Sequence, residues 1–545
     1  MIFSDKKNLP SWRVEFQVPA IKNRFLHIDL KGPKIPYRVF SHLLEQIARW
    51  GINGVIVEYE HRLPCLPLPH QFPEYERYTE KEIRTLIEKA KALGIEWIPL
   101  VQTFGHVEYL SRLKGTEILF ENPQYPSQLC PSKKEVRKYI ENLIDIICML
   151  HPESKYIHVG QDETRQLGLC RQCSNKMKKL GGKIELYLEH VNFVWNEVFK
   201  HNKIPMAWAD MFTGSGRLDL VRDIDKRVIL VPWDYQSTGN TSKFVFYKGF
   251  RPAKKQFYHQ YQEPGTILQF PENGKFFEDL DEKEITQIGM DENTGYPLSF
   301  SQLRLMATTG RKFYGACGLY MSADRAFHPD YIRGLLNPAG MCRAIIDYNG
   351  EGIIGTMWAR GHSFAPINAP WTLALYNIVQ FARVSWTGKT QPEDFRKATK
   401  EIASELDMPE IFDGQWTLDD ILWMVSAKNS LNENVFETIE KEKISGCFGE
   451  GLKRCLSAEL LQHQLRYIIE EARWWYSTRD QMPVEMKKNM KKRMQLIMVK
   501  IEKLKKSLKK YYLKWVGDEK SFLLWWENLF TPDVTFVQCI LKKFK

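Results

Sequence analysis

From about residue 24 to residue 386 the chain repeats one unit: a short apolar run, a turn, and then an amphipathic stretch. Few folds accept that alternation. A run that is apolar on both faces must be covered on both sides, and the amphipathic stretches are what can cover it. The apolar runs at 25–29, 54–59, 96–102, 156–160, 204–210, 228–233, 313–319 and 352–358 are read as parallel strands. The stretches at 37–50, 80–93, 133–150, 184–200, 299–308, 338–348 and 371–384 are read as helices; in the first, Phe40, Leu43, Leu44 and Ile47 share one face. Eight such units predict an α/β fold, a (β/α)8 TIM barrel over 24–386, with 1–23 as an N-terminal extension. The polar interval 235–298, which contains Gly and Pro, is too long for a simple connection and reads as an insertion or lid. A doubly wound open sheet is the alternative, and it would place a ligand in a crevice instead of on one common face.

A barrel brings the carboxyl ends of its strands to one mouth, so the residues there can be read as a group. The first strand ends in His27, Asp29 and Lys31, the second in Glu58, Tyr59 and Glu60, and the third in Gln102, Thr103 and His106. The fourth delivers Asp162 and Glu163, the fifth Trp208 and Asp210, the sixth Trp233, Asp234 and Tyr235, and the eighth Trp358, Arg360 and His362. Trp beside Asp on several rims suits a sugar, because the ring stacks on the apolar face of a pyranose while carboxylates accept its hydroxyl protons. The adjacent acids Asp162 and Glu163 are the candidate catalytic pair. Side chains alternate along a strand, so both acids reach one pocket only if the backbone leaves the strand at Asp162. A surface turn carries such a pair equally well; the recurrence of acids and aromatics on the other rims is what sets this one apart.

The series Phe25-Leu-His-Ile-Asp-Leu-Lys-Gly32, Val57-Glu-Tyr-Glu60, Ile98-Pro-Leu-Val-Gln-Thr-Phe-Gly-His106, His158-Val-Gly-Gln-Asp-Glu163, Trp208-Ala-Asp210 and Trp233-Asp-Tyr235 resembles the β-N-acetylhexosaminidases of glycoside hydrolase family 20, of the hexosaminidase D type, over roughly residues 24–385. The resemblance implies exo-acting, retaining hydrolysis of terminal β-linked GlcNAc or GalNAc with substrate assistance: the 2-acetamido carbonyl attacks its own anomeric carbon and gives an oxazolinium. Glu163 would be the general acid and then the base, and Asp162 would hold the acetamido N–H. Adjacent carboxylates raise one another's proton affinity, which would keep Glu163 protonated while Asp162 stays ionised. By the same resemblance His106 lies near the pair, Trp208 and Trp233 wall the acetamido pocket, Trp358 is a platform, and Tyr235 or Tyr314 orients the acetamido oxygen. Asp29, Lys31, Glu60, Asp210 and Arg360 complete the candidate substrate-binding set. Where family members carry an Arg after strand one and an acid after the strand-eight Trp, this chain has Asp29 with Lys31, and Arg360; both changes leave open GlcNAc against GalNAc and an anionic sugar substituent. The implied partner is a glycan or glycoconjugate. A non-catalytic carbohydrate-binding protein and a classical two-carboxylate glycosidase are the competing readings.

Beyond residue 387 the pattern is helical to residue 545, predicting an all-α C-terminal domain. Leu461, Leu465, Ile468, Ala472 and Trp475 form one heptad seam, and Met490, Met494, Ile497, Ile501, Leu504, Leu508 and Tyr511 another, which together predict a basic antiparallel hairpin. Much of the net charge of +11 is Lys between 487 and 514, mainly off the seam. It reads as a solvated face, with no nucleic-acid partner, since no nucleic-acid motif accompanies it. No apolar run reaches signal-peptide or membrane-spanning length and the ten cysteines are scattered, so the expectation is a cytoplasmic protein with no membrane association, compatible with a homo-oligomer. Cys170 and Cys173 form a single CxxC. Zinc takes about four ligands and no second pair stands nearby in sequence, so the expectation is a thiol pair structuring its loop, with no metal and no cofactor.

Overall fold

The computed structural model describes residues 8–213, 218–239, 298–321, 326–426, 433–442, 444–478 and 482–544, together with 244–247, 266–269, 289 and 324. Eight parallel strands make one sheet: β1 (Asn23–Asp29), β2 (Gly54–Glu58), β3 (Glu96–Leu100), β4 (Tyr156–His158), β5 (Ile204–Trp208), β6 (Ile229–Val231), β7 (Tyr314–Tyr320) and β8 (Gly352–Met357). The order is β6-β5-β4-β3-β2-β1-β8-β7. Parallel bridges Leu230↔Phe313 and Trp233↔Ala316 join its two edges and close the ring. The fold is therefore the (β/α)8 barrel and not the open sheet.

Strand alternation sorts side chains between two cores. Ile56 of β2 and Ile98 and Leu100 of β3 point into the barrel with Phe25, Met206, Trp208 and Ile354. Val55, Val57 and Trp97 point outward and pack with the helices. Helices α1 (Tyr37–Trp50), α2 (Glu80–Ala92), α3 (Lys134–Leu150), α4 (Arg171–Leu180), α5 (Lys183–Lys200), α6 (Tyr331–Asp347) and α7 (Leu375–Thr387) surround the ring. One boundary departs from expectation: α6 begins at Tyr331, not near Pro338. Asp330 caps it by accepting the Arg333 N–H at 2.9 Å, and Pro338 lies in the helix interior. A proline is a good helix start only where no better cap precedes it. Helix α4 was not anticipated. The 235–298 insertion falls largely outside the described residues; within it Phe244–Tyr247 and Thr266–Gln269 pair antiparallel.

The segment before β1 is fastened to the barrel: Trp12 is buried, its Nε1–H donating to Trp50 O at 3.3 Å. After α8 (Pro392–Glu405), three long helices pack on one another, α9 (Gly446–Thr478), α10 (Val484–Trp515) and α11 (Glu519–Lys543). Leu465, Ile468 and Ala472 of one seam and Met490, Met494, Ile497 and Ile501 of the other are buried. Among the described residues no helix is long and apolar enough to cross a membrane.

The α10–α11 turn docks on the barrel loops after β1 and β2. Asp518 Oδ2 accepts from Lys34 N (3.0 Å), while Oδ1 accepts the Ser521 N–H (2.9 Å) and caps α11. Lys520 Nζ reaches Glu76 Oε1 at 2.7 Å. Asp518→Ala removes a helix cap and a contact between the two domains together, so it should lower the thermal unfolding midpoint by an amount equivalent to about 1–2 kcal/mol, more than Lys520→Ala does. Calorimetry of the two variants checks this.

Candidate active site

The fourth rim is where the backbone turns. Gly160, Gln161 and Glu163 all have positive φ, at 68°, 78° and 47°. Gly160 is required sterically as well, since a Cβ there would collide with the Gln102 carboxamide. Gln161 is pinned on three sides: its Oε1 accepts from Trp195 Nε1 (3.0 Å), its backbone O from Tyr187 Oη (2.9 Å), and its Nε2 donates to Thr103 Oγ1 (3.4 Å). The result is that two consecutive acids face the same partner. His106 Nε2 lies 3.2 Å from Asp162 Oδ2 and 3.5 Å from Glu163 Oε2.

His106 itself has φ 55°, and Gly105 before it packs so closely that a Cβ would sit 2.5 Å from Asp162 O. Asp210, fully buried at the end of β5, accepts the Glu163 N–H at 3.2 Å and fixes the second acid from below. Burial opposes charging His106, but Asp162 and Glu163 outweigh it and push the imidazole well above its ordinary range. Burial raises Asp162, whose Oδ1 has no hydrogen-bond partner among the described residues. Glu163 is more open, at 28% exposure, and Arg165 Nη2 lies 2.9 Å from its Oε1. His106 thus faces both acids, and Arg165 adds a second cationic neighbour to Glu163.

A second charged cluster lies under the β1 and β2 rims. Lys31 Nζ sits 3.0 Å from Asp29 Oδ2 and 3.4 Å from Glu58 Oε1, and 4.6 Å from the Trp358 ring centroid. Glu58 also accepts from Gln102 Nε2 and faces His27 Nε2, both at 3.0 Å. Burial disfavours charge on Lys31 and Glu58 alike. The carboxylates nevertheless raise Lys31, and Lys31 with the His27 and Gln102 hydrogen bonds hold Glu58 well below the usual carboxylate range. Asp29 is raised by burial and accepts the Ala359 N–H at 2.9 Å, tying β1 to the β8 rim. Glu60, at φ 44°, accepts from Ser363 Oγ (3.0 Å); burial raises it well above the usual range, and its buried Oε1 has no hydrogen-bond partner.

The aromatic residues form a layered floor and wall. His158 lies tilted at 53° with its centroid 4.5 Å from Trp208, Trp208 lies 5.9 Å from Trp358, and His27 lies 4.5 Å from Trp358. Burial lowers His158 to about 3, so that ring is neutral. Trp208 is wholly buried beneath the mouth. Trp233 stacks on Tyr235 at 4.9 Å and 13°, and Tyr235 lies 6.5 Å from Trp358.

One expectation is corrected. Tyr314 begins β7, pairs with Gly352 at the start of β8, and stacks on Phe25 near the start of β1. It is at the amino end of the barrel, opposite the mouth, because the apolar run before the loop extends a full strand beyond it. Arg360 is held by its own loop, its Nε donating to Ala365 O at 2.9 Å, and Lys31 is enclosed by carboxylates. The cations that could have met an anionic sugar substituent are thus engaged internally. His27, Glu58, His158 and Arg165 were not in the candidate set. His27 and Glu58 were legible only as members of rim motifs, and nothing in sequence marked Arg165.

Fold and rim together define a (β/α)8 protein whose titratable groups and sugar-sized rings meet at the carboxyl ends of its strands. Residues 61–261 match the model of the glycosyl hydrolase family 20 catalytic domain. Hexosaminidase D of Bos taurus is 30% identical over 218 residues, 39% of this chain and 62% of the bovine protein. Hexosaminidase D of Homo sapiens is 32% identical over 221 residues, 39% of this chain and 44% of the human protein. The chain thus spans less than two thirds of the length of either relative. Among solved structures, Flavobacterium johnsoniae chitobiase aligns with a TM-score of 0.49 at 14% identity, covering 96% of this chain and 72% of that one.

The raised His106 makes its contribution to stability pH-dependent with a definite sign. A folded-state pKa above the unfolded one gives stability that is fully present below about pH 6.5 and is lost only as pH climbs through the raised value. The stability advantage of wild type over His106→Ala should therefore be largest on the acid side and shrink toward alkaline pH; denaturant melts across that range measure it.

Proposed function

We propose that this chain is an exo-acting, retaining β-N-acetylhexosaminidase that removes terminal β-linked GlcNAc or GalNAc from a glycan or glycoconjugate by substrate-assisted catalysis. The observation that carries the reading is the single imidazole of His106 placed within 3.5 Å of two consecutive carboxylates. A positive-φ turn anchored by Gln161 makes that arrangement, and a solvated loop has no reason to do so. The family-model match and the hexosaminidase D relatives support the same reading.

In the proposed reaction the sugar lies over Trp358, with its acetamido group directed toward Trp208 and Tyr235. Asp162 Oδ1, which lacks a partner among the described residues, accepts the acetamido N–H. This orients the carbonyl oxygen for attack on C1 and stabilises the positive charge that grows on the ring nitrogen. Tyr235 Oη orients that oxygen, a role Tyr314 has no access to. Glu163 gives its proton to the glycosidic oxygen as the C1–O bond breaks. It then takes a proton from water as the water attacks C1 and reopens the oxazolinium. The acid form develops when bound sugar excludes water and Arg165, 60% exposed, leaves the carboxyl. Glu60 Oε1 is an acceptor for an outer hydroxyl.

Support for substrate assistance over a protein nucleophile comes from the other rim acids: Asp29 and Glu58 are bound to Lys31, and Asp210 holds a backbone N–H. A cytoplasmic location is part of the proposal, supported by ten cysteines that are all unpaired.

Purified protein should hydrolyse aryl β-GlcNAc or β-GalNAc and leave aryl β-glucoside, which lacks the acetamide, untouched. Glu163→Gln and Asp162→Asn should each lower kcat by roughly 10²–10⁴-fold with smaller changes in KM. A thiazoline that mimics the oxazolinium should inhibit the wild type strongly and Asp162→Asn weakly. Turnover of the β-glucoside at a comparable rate would refute substrate assistance.

A further inference from the structure

The fold assembles four soft or anionic donors that lie far apart in sequence. Cys130 Sγ is 3.4 Å from Cys173 Sγ and 3.7 Å from Cys170 Sγ, and these atoms and a carboxylate oxygen of Glu121 all lie within 4.8 Å of one another. Glu121, Cys130 and Cys173 are buried and Cys170 is half-buried. The sulfur separations are too long for a disulfide, whose S–S bond is about 2.05 Å. They approach the roughly 3.8 Å expected between thiolates that share a tetrahedral ion at about 2.3 Å. Glu121 Oε1 accepts the Cys170 N–H at 2.9 Å, while its buried Oε2 has no hydrogen-bond partner among the described residues. The Cys173 N–H donates to Cys170 Sγ (3.3 Å) and Ser132 Oγ lies 3.0 Å from Cys173 Sγ, so the sulfurs are oriented by surrounding groups.

We propose that Glu121, Cys130, Cys170 and Cys173 form a closed structural site for a soft divalent cation of the zinc class. The spacing Cys170-x-x-Cys173 supplies half of a tetrahedral set, and the loop after β3 supplies the other half. Three thiolates and a carboxylate select zinc over calcium or magnesium and leave no open coordination position, so the ion's role is to join segments and not to activate water. Binding replaces the three S–H protons with the ion, giving a site of net charge −2 (+2 − 3 − 1) and releasing up to three protons per ion bound. The expectation of a metal-free thiol pair failed to anticipate this grouping because Glu121 and Cys130 are separated from the CxxC by α3 and β4.

The two segments joined are the ones that carry the proposed chemistry. Gly105, beside His106, bridges Gln128, and Cys130 N donates to Leu119 O within the same loop. Cys170 caps α4 at the end of the loop that begins with Asp162 and Glu163. An ion here would hold the His106 loop against the Asp162-Glu163 loop, a positioning role independent of the hydrolytic reading.

The test uses the full-length, untagged chain purified under reducing conditions after growth with added zinc. Elemental analysis should find about one zinc per chain, released in step with mercurial titration of three thiols. Cobalt reconstitution should show thiolate-to-cobalt charge-transfer bands and a tetrahedral ligand-field envelope, both lost in Cys130→Ser/Cys173→Ser. Chelation should lower the thermal midpoint of the wild type and leave that of the double variant unchanged. Where the double variant does not fold, Glu121→Gln serves, with weaker zinc retention expected. Protein without stoichiometric zinc and without a cobalt–thiolate band, or three thiols alkylated equally fast with and without chelator, overturns the proposal. Those outcomes leave the hydrolase reading untouched, and loss of hydrolysis alone does not bear on zinc.

Discussion

Gln161 holds the backbone at a conformation that an L side chain seldom adopts, and the site depends on that hold. Non-glycine residues at positive φ cost on the order of 1 kcal/mol or more unless their surroundings enforce them. Here three hydrogen bonds, from Trp195, Tyr187 and to Thr103, come from two different barrel units and leave the side chain no exposed freedom. The turn converts the alternation of a strand into its opposite, so that neighbouring acids share one imidazole. Without it Asp162 and Glu163 would face opposite sides of the sheet, and His106 would have one partner.

Beneath that turn the barrel mouth is stiffened by charge as well as by packing. Lys31, Asp29, Glu58 and His27 are almost entirely removed from water, an arrangement whose desolvation cost is repaid only when every member has a close partner. They do, and Trp358 lies over the ammonium while Ala359 N–H binds Asp29. The platform ring is thereby fixed to β1 and β2 through electrostatics, although it belongs to the β8 rim. Removing one partner would leave a buried charge exposed to the others, so this cluster tolerates substitution poorly even though none of its members needs to touch a substrate.

The helical region bears on the same rims from outside. Trp371 Nε1 donates to Val516 O, Trp525 Nε1 to Ala326 O, and Gly517 packs so tightly on Pro33 that a Cβ has no room. These contacts fall on the loops after β1, β7 and β8. The C-terminal helices and the barrel therefore share a buried interface at the mouth end of the molecule, and the conformation of those loops is set jointly by both.

The alternation of apolar runs with amphipathic stretches was enough to give eight strands and their parallel sense, because a strand covered on both faces has a composition of its own, while closure against an open sheet was decided by the bridges between β6 and β7. The rim residues followed from knowing where such strands end, and the Asp162-Glu163 pair was legible as a break in strand periodicity. Depth, direction and pairing were not. Tyr314 was assigned to the mouth although it starts its strand, since a strand's two ends look alike in an apolar run. The burial of Trp208 and the engagement of Lys31 by Asp29 and Glu58 and of Arg360 by the Ala365 carbonyl had no signature in the local sequence. The second cation beside Glu163 depended on where Arg165 falls, and the meeting of Glu121 and Cys130 with Cys170 and Cys173 depended on the path of two loops. Local sequence determined periodicity and chemistry at each strand end. Only the tertiary structure decided who faces whom, because hydrogen bonds and ion pairs act over a few ångströms between residues that the chain separates by tens of positions.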